Sequence, residues 1–342
     1  MRYIGADLHK KSITFCVVKI VRGKTTIVER KRLSCRDTNR ITEWIKSHRP
    51  CKVVVETTIG QEWFVQLCEP IASRTVVAHA TKLRIIAEST RKTDKIDAFV
   101  LAELLAKDML PESWIPTSRV RQHRALVRRR QKVQSRITSV KNTIRAILTR
   151  YNSDRKDIFT RHGWETAKEF QLLDEDRWVL DDLWEELQEH RSRLRKVDRR
   201  LVDFAKSAPL REREARAILA TMPGVGPRTI ETILAELGDW RRFKNGRAVA
   251  SFAGLEPAVR ESDGKRHDLK LSKEGSPLLR WIMIQLAHRV KTRSVRWSAA
   301  FEQLSRKAGK KKATCAIARR LLLVIYAMLR DGKAYDLPAA AA

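Results

Sequence analysis

The chain is poor in cysteine, in aromatic residues and in acidic residues, and it has no long apolar run. Its five cysteines, Cys16, Cys35, Cys51, Cys68 and Cys315, are an odd number, widely spaced, with no Cys-x-x-Cys pair. That pattern argues against a disulfide framework and against a structural zinc site. Where they sit among apolar neighbours, as in Phe15-Cys16-Val17-Val18, a small buried hydrophobe is the expected role. Aromatic residues make up only 6%, and Trp164, Trp178 and Trp184 stand at helical spacings that mark core or seam rather than base-stacking platforms. The apolar stretch around Leu321 to Leu329 falls well short of the ~18 residues a membrane span needs. The first residues read as a strand carrying Asp7, without a signal-peptide core. A soluble, cytoplasmic protein with no membrane partner is expected.

What is abundant is positive charge. Against 40 Asp+Glu stand 71 Lys+Arg, a formal net charge of +31 on 342 residues. A compact chain with that charge repels itself unless it meets a polyanion, and nucleic acid is the obvious one. A hydrophobic content of 43% excludes a disordered basic tail.

Three stretches differ in character: 1–110, 111–208 and 209–342. The first reads as α/β. Arg2 to Asp7, Ile13 to Ile20 and Thr25 to Leu33 form an expected antiparallel meander turning at Gly23. Lys52 to Glu56 is a continuous apolar run, as in a strand buried on both faces, and Arg74 to Ala78 is another strand. Helices are expected over Thr38 to Ser47, Gln61 to Ile71 and Thr93 to Leu105, the last with Ile96, Val100, Leu101 and Leu104 on one face. The second stretch is helical. From Arg119 to Arg150 there are eleven Lys/Arg and no acid. Leu180, Leu183, Leu187, His190, Leu194, Val197, Leu201 and Phe204 then make a coiled-coil seam, filled either by a helical hairpin or by a second chain. The third stretch is basic and mostly helical. It contains Met222-Pro223-Gly224-Val225-Gly226-Pro227 between two helices and an apolar helix from Ala316 to Leu329. A frayed tail follows from Pro338.

Four acids have a shared logic. Asp7 and Glu56 end two strands, and Asp94 and Asp97 lie three apart at the start of a helix, on one face. Any one of them alone reads as a loop or cap residue. Converging at one sheet edge, they would repel each other unless divalent cations relieved the repulsion. Two such ions about 3.5–4 Å apart can activate an oxygen nucleophile and stabilise a leaving oxygen at a phosphodiester. Oxygen-only ligands favour Mg²⁺, with Mn²⁺ as a substitute, and Asp7, held by a strand end, is the expected central ligand.

The order of these acids resembles the DEDD arrangement of RuvC-like, RNase H-fold nucleases. Gly5-Ala6-Asp7-Leu8-His9-Lys10, Glu56-Thr57-Thr58-Ile59-Gly60 and Lys92-Thr93-Asp94-Lys95-Ile96-Asp97-Ala98 resemble the Piv-type insertion-sequence transposases, the insertion sequence one-hundred-ten family. The remainder of the chain is similar to that family in collinear order. Pro223-Gly224-Val225-Gly226 reads as a helix–hairpin–helix turn whose backbone N–H groups can bind phosphate. Phe252-Ala253-Gly254-Leu255-Glu256-Pro257, Ser262-Asp263-Gly264-Lys265 and Leu271-Ser272-Lys273-Glu274-Gly275 look like the family's transposase domain. Where the family often shows Ser-Ser-Gly-Gly, this chain has Glu261-Ser262-Asp263-Gly264, which leaves one serine.

The resemblance implies a RuvC-like catalytic domain, a central coiled coil and a mostly α C-terminal domain. It implies a prokaryotic recombinase acting at the nucleoid on double-stranded donor and target DNA, with a structured non-coding guide RNA delegating sequence choice to base pairing. It also implies a nucleophilic serine after Phe252-Ala253-Gly254-Leu255, matched by Ser262, with Ser251 and Ser272 as weaker candidates. A phosphoserine link would conserve phosphodiester energy while strands exchange. No obvious base neighbours Ser262 in the chain, so the metal-bound carboxylates are expected to come to it in a composite site, within one protomer or between two. Contacts to phosphate are expected from Arg128, Arg129, Arg130, Lys132, Arg136, Lys141, Gly224, Gly226, Lys265, Lys310, Lys311 and Lys312, and at least a homodimer through the seam. Two other functions share these features: a RuvC or RNase H-type junction nuclease using water, and a non-catalytic helix–hairpin–helix nucleic-acid-binding protein. His9 and His79 are left outside the site.

Overall fold

The computed structural model describes residues 1–80, 82–83, 94–262 and 265–335, and only the backbone of 94–96, 258–262 and 265–270. Expectations resting on Lys92-Thr93, on Asp263-Gly264 and on the tail at Pro338 lie outside the described residues. The chain divides into two compact units, Met1–Ile115 and Pro116–Ala342.

The first unit is built on one mixed sheet. Strands β1 (Arg2–Leu8), β2 (Ser12–Val21) and β3 (Lys24–Ser34) form the antiparallel meander. Its second turn is at Arg22-Gly23, where both residues have positive φ (48° and 75°), the geometry that matches the twist of a two-residue hairpin. Strand β4 (Cys51–Glu56) pairs parallel to β1, β5 (Arg74–Ala78) parallel to β4, and the short β6 (Glu112–Ser113) closes the edge antiparallel. The order is β3-β2-β1-β4-β5-β6, a mixed α/β sheet as the RNase H-like expectation requires. Val53, Val54 and Val55 are fully buried, because helices cover both faces of β4.

On one face lie α1 (Thr38–Ser47), capped by the Asp37 side chain at Arg40 N, and α2 (Glu62–Cys68). Helix α2 is shorter than the Gln61–Ile71 reading: Pro70 has no N–H to continue it, and the chain leaves the helix just before. On the other face lies α3 (Asp94–Ala106). Its buried residues are Ala98, Leu101, Ala102 and Leu105, whereas the expected Val100 and Leu104 are only half-buried. The small Ala98 and Ala102 face the sheet because nothing larger would let the helix come close to β1.

The second unit opens with a helical hairpin. Helices α4 (Ser118–Arg150) and α6 (Asp174–Lys206), with the short α5 (Arg161–Lys168) between them, run antiparallel: Arg150 reaches Asp176 at one end and Arg130 reaches Asp198 towards the other. Leu180 and Leu187 of the seam pack into Val133, Ile137, Val140, Ile144 and Leu148 of α4. The same chain therefore fills much of the face from which a dimer was expected. Trp164 stacks face to face on Trp184, with ring centroids 3.9 Å apart. Trp178, expected in core or seam, is instead 66% exposed, since α6 already commits Leu180 and Leu187 to its inner face.

The rest of this unit is a mostly helical bundle of α7 (Leu210–Ala220), α8 (Pro227–Leu237), α9 (Gly246–Phe252), α10 (Pro277–Val290), α11 (Val295–Ala308) and α12 (Lys310–Asp331). Its core joins Leu219, Ile233, Leu237, Met283, Leu286, Leu321 and Ile325. A two-stranded hairpin, β7 (Pro257–Ser262) and β8 (Lys265–Leu271), stands between α9 and α10. Among the described residues, no helix is long and apolar enough to cross a membrane.

Candidate active site and nucleic-acid contacts

Strand periodicity decides where the acids lie. Residues two apart share a face, so Asp7 projects with Gly5, and Glu56 with Val54, from the face covered by α3. The last printed register pair of the parallel strands β1 and β4 is Ala6 with Val55, and one step on stand Asp7 and Glu56, side by side at the strand ends. Helix α3, which carries Asp97, packs closely over β1 because Gly5 lets it. A Cβ on Gly5 would collide with the Ala98 carbonyl oxygen and lie 2.7 Å from the Ala102 nitrogen. Asp97 immediately precedes Ala98 and is half-buried. Asp94 begins the same helix, and its side chain is not described.

The edge is held from behind. Thr57, next to Glu56, donates both its N–H (2.9 Å) and its hydroxyl (2.7 Å) to the Ala78 carbonyl of β5. The sequence reading missed a neighbour: the His9 ring nitrogen Nε2 lies 3.0 Å from Asp7 Oδ2. The alternation Asp7-x-His9 across the end of β1 was the available signal. Among the described residues, no group of three or more His, Cys, Asp or Glu stands close enough together to hold a metal ion. The donors at this edge are hard carboxylate oxygens, the chemistry that suits a divalent cation of the Mg²⁺ kind.

Ser262 is the last residue of β7 and pairs with Lys265, the first of β8, so it sits at the tip of the hairpin. The base of that hairpin is tied by hydrogen bonds. Arg280 donates from Nη1 to the carbonyls of Ala253 (3.2 Å) and Lys273 (3.1 Å), and Ser276 N–H donates to the Phe252 carbonyl. Gly275, at φ 110°, has no room for a Cβ against the Phe252 carbonyl. Ser251 lies exposed in α9, and Ser272 follows β8.

The basic stretch is less free than its sequence suggests. Arg128 pairs with Glu236 (2.9 Å), Arg130 with Asp198 (2.6 Å), Arg119 with Glu212 (2.7 Å), and Arg124 donates to the carbonyls of Ala235 and Glu236. The stretch lacks acids along the chain but is compensated in space. Arg129, Lys132 and Arg136 are exposed and enter no ion pair among the described residues. Lys141 lies over the Phe159 ring at 4.6 Å, and burial, with Arg191 and Arg145 nearby, lowers its pKa. Between α7 and α8, Gly224 takes a φ of +79°, and a Cβ on Gly226 would meet nothing within 4 Å, so its backbone faces open space. Lys310, Lys311 and Lys312 are exposed in the first turn of α12.

Comparison with known proteins agrees with this layout. Residues 4–153 match the IS110 DEDD transposase family, and residues 216–303 match the transposase IS116/IS110/IS902 family. The chain is 26% identical to the pilin gene-inverting protein of Moraxella bovis over 98% of this chain and 97% of that protein. It is 23% identical to the transposase for insertion sequence element IS1328 of Yersinia enterocolitica, over 97% and 98%. With the transposase for insertion sequence element IS1111A of Coxiella burnetii it shares 25% identity over 72% and 69%. With both transposase domains in collinear order and relatives matched from end to end, the chain belongs to the IS110 family of insertion-sequence transposases and is a DNA recombinase.

Proposed function

We propose that the chain performs RNA-guided cleavage and exchange of DNA strands, with Asp7, Glu56, Asp94 and Asp97 as a divalent-metal site and Ser262 as nucleophile. Divalent-metal dependence comes with a DEDD domain; the oxygen donors favour Mg²⁺, which would lower the cost of charge developing on attacking and leaving oxygens. The observation that carries this reading is a pair of acids: Asp7 and Glu56 end adjacent parallel strands, and α3, which carries Asp94 and Asp97, packs closely over Gly5 of the same strand as Asp7. The Ser262 hydroxyl oxygen attacks the scissile phosphorus, the bond to one deoxyribose oxygen breaks, and the phosphate stays esterified to serine. The hydroxyl of the incoming strand then attacks the same phosphorus and releases the serine, so no bond energy is lost to water. The hairpin tip supports this role, since it presents Ser262 on a base held by Arg280. Guide RNA fits a protein rich in phosphate-binding cations, whose contacts give affinity rather than sequence choice.

The test is a strand-exchange assay with denaturing electrophoresis of protein–DNA adducts. Asp7→Asn abolishes both exchange and adduct while nucleic-acid binding stays within about threefold, and Ser262→Ala loses adduct and exchange but still binds nucleic acid. Adduct formation by the Ser262→Ala protein, or full exchange in chelator, overturns the reading. Release of free cut ends without any adduct in the unmodified protein assigns the chain to nucleases that use water.

A further inference from the structure

A cavity of about 540 Å³ opens within the second unit, among α10, α11 and α12. That volume is in the range of small-molecule sites, roughly 300–1,000 Å³. Its lining is mainly of two chemistries. Ile284, Phe301 and Cys315 make an apolar part, Lys291, Lys310 and Lys311 supply ammonium groups, and His288 and Thr314 complete it; no Asp or Glu lines it. The Lys291 Nζ stands 4.6 Å from the centre of the Phe301 ring, so the cationic and apolar parts meet at one point. Three like charges around a half-apolar hollow are self-repelling, and the occupant that relieves them is an anion carrying a flat apolar group.

A phosphate alone would satisfy the lysines and leave Phe301 and Ile284 facing water. A base pair within a duplex would place its phosphates but keep its bases stacked out of reach. A single unpaired nucleotide meets both demands: its base offers a flat apolar surface to Ile284 and to Phe301 beside the Lys291 ammonium that lies over the ring, and its phosphate falls to Lys310 and Lys311. We infer that this cavity binds one unpaired nucleotide of the nucleic acid on which the transposase acts, base inward against Ile284 and Phe301, phosphate towards Lys310 and Lys311. The inference is independent of the proposed metal site and of Ser262. It makes the C-terminal bundle a reader of single-stranded or extruded nucleotides, whereas the Arg129-Lys132-Arg136 face contacts backbone.

Cys315 offers the test, because it is a half-buried thiol in the cavity wall, and Cys35, equally half-buried in the other unit, serves as internal control. The full chain is alkylated with iodoacetamide and the two cysteine-bearing peptides are followed by mass spectrometry. This is done with a single-stranded DNA, a single-stranded RNA of the same sequence, or the blunt DNA duplex, each at equal occupancy. At a strand concentration about ten times its dissociation constant, single strands slow Cys315 alkylation about tenfold, and the duplex leaves it within about twofold. Cys35 is unaffected. Whichever single strand protects more is the source of the nucleotide. A Lys310→Glu, Lys311→Glu double variant, both positions being exposed, melts like the parent and loses the protection at matched occupancy. Equal protection by the duplex, no protection by either single strand, or protection retained in the double variant overturns the inference. Asp7→Asn protein keeps the protection even if every catalytic assignment fails.

Discussion

A single missing methyl group decides how closely α3 can lie on β1. Gly5 lies under Ala98 and Ala102 of α3, and any Cβ there meets helix backbone, which cannot rotate away as a side-chain tip would. Gly5→Ala should lower stability by about 1–3 kcal/mol through overpacking and lift the end of α3 that carries Asp97. Strand exchange should fall much further than melting temperature, while nucleic-acid affinity holds. A Gly5→Ala protein as active as the parent would mean that the position of α3 is irrelevant to the reaction. At this scale the placement of two of the proposed acids was legible in the chain. Asp7 and Glu56 end apolar strand-like runs, and parallel pairing then makes them neighbours. His9 was only faintly legible: its place two residues from Asp7 was a signal, but a lone histidine has no periodicity to reveal its partner. The role of Gly5 was hidden too, since a glycine in a strand does not announce what lies on top of it.

Among elements, the join between α4 and α8 depends on one buried acid. Glu236, 1% exposed, accepts from Arg128, at 2.9 and 3.1 Å, and from the Ser276 hydroxyl at 2.9 Å. Burial pushes its carboxyl up, but the Arg128 hydrogen bonds, Ser276 and the nearby Arg124 outweigh it and hold the carboxyl below its ordinary 4.5. A carboxylate with a lowered folded pKa stabilises fully above its unfolded value and loses that contribution as pH falls through the folded one. Glu236→Ala should therefore cost roughly 2–3 kcal/mol at neutral pH, and its deficit against the parent should shrink below about pH 4.5. Denaturant titrations at neutral and acid pH check this; a deficit that does not change with pH would remove the ionic explanation. This contact also shows why the basic stretch misled. Eleven cations without a local acid read as an open phosphate face, but their partners Asp198, Glu212 and Glu236 lie 68 to 108 residues away. Periodicity did locate the long helices and most strands, because their apolar spacing is a local property. It could not say that the seam of α6 would be filled by α4.

For the whole molecule, the excess charge divides into cations that hold the protein together and cations left for a polyanion. Arg129, Lys132 and Arg136, exposed and in no ion pair among the described residues, are proposed to be of the second kind. Replacing all three by Ala should reduce the dependence of log affinity on log salt by about 2–3 units, at nearly unchanged melting temperature. Replacing Arg128 and Arg130 instead should lower the melting temperature first, since each leaves a partner acid behind. An unchanged salt slope in the triple variant would return that face to bulk solvent. The hairpin carrying these residues has a further consequence. Each of its long helices has 33 residues, so each is about 50 Å long at 1.5 Å per residue. Laid along B-form DNA, that is roughly 15 base pairs at 3.4 Å each. Two such rods packed against each other through Leu180 and Leu187 make the hairpin a ruler: whatever engages its two ends is kept at a set spacing.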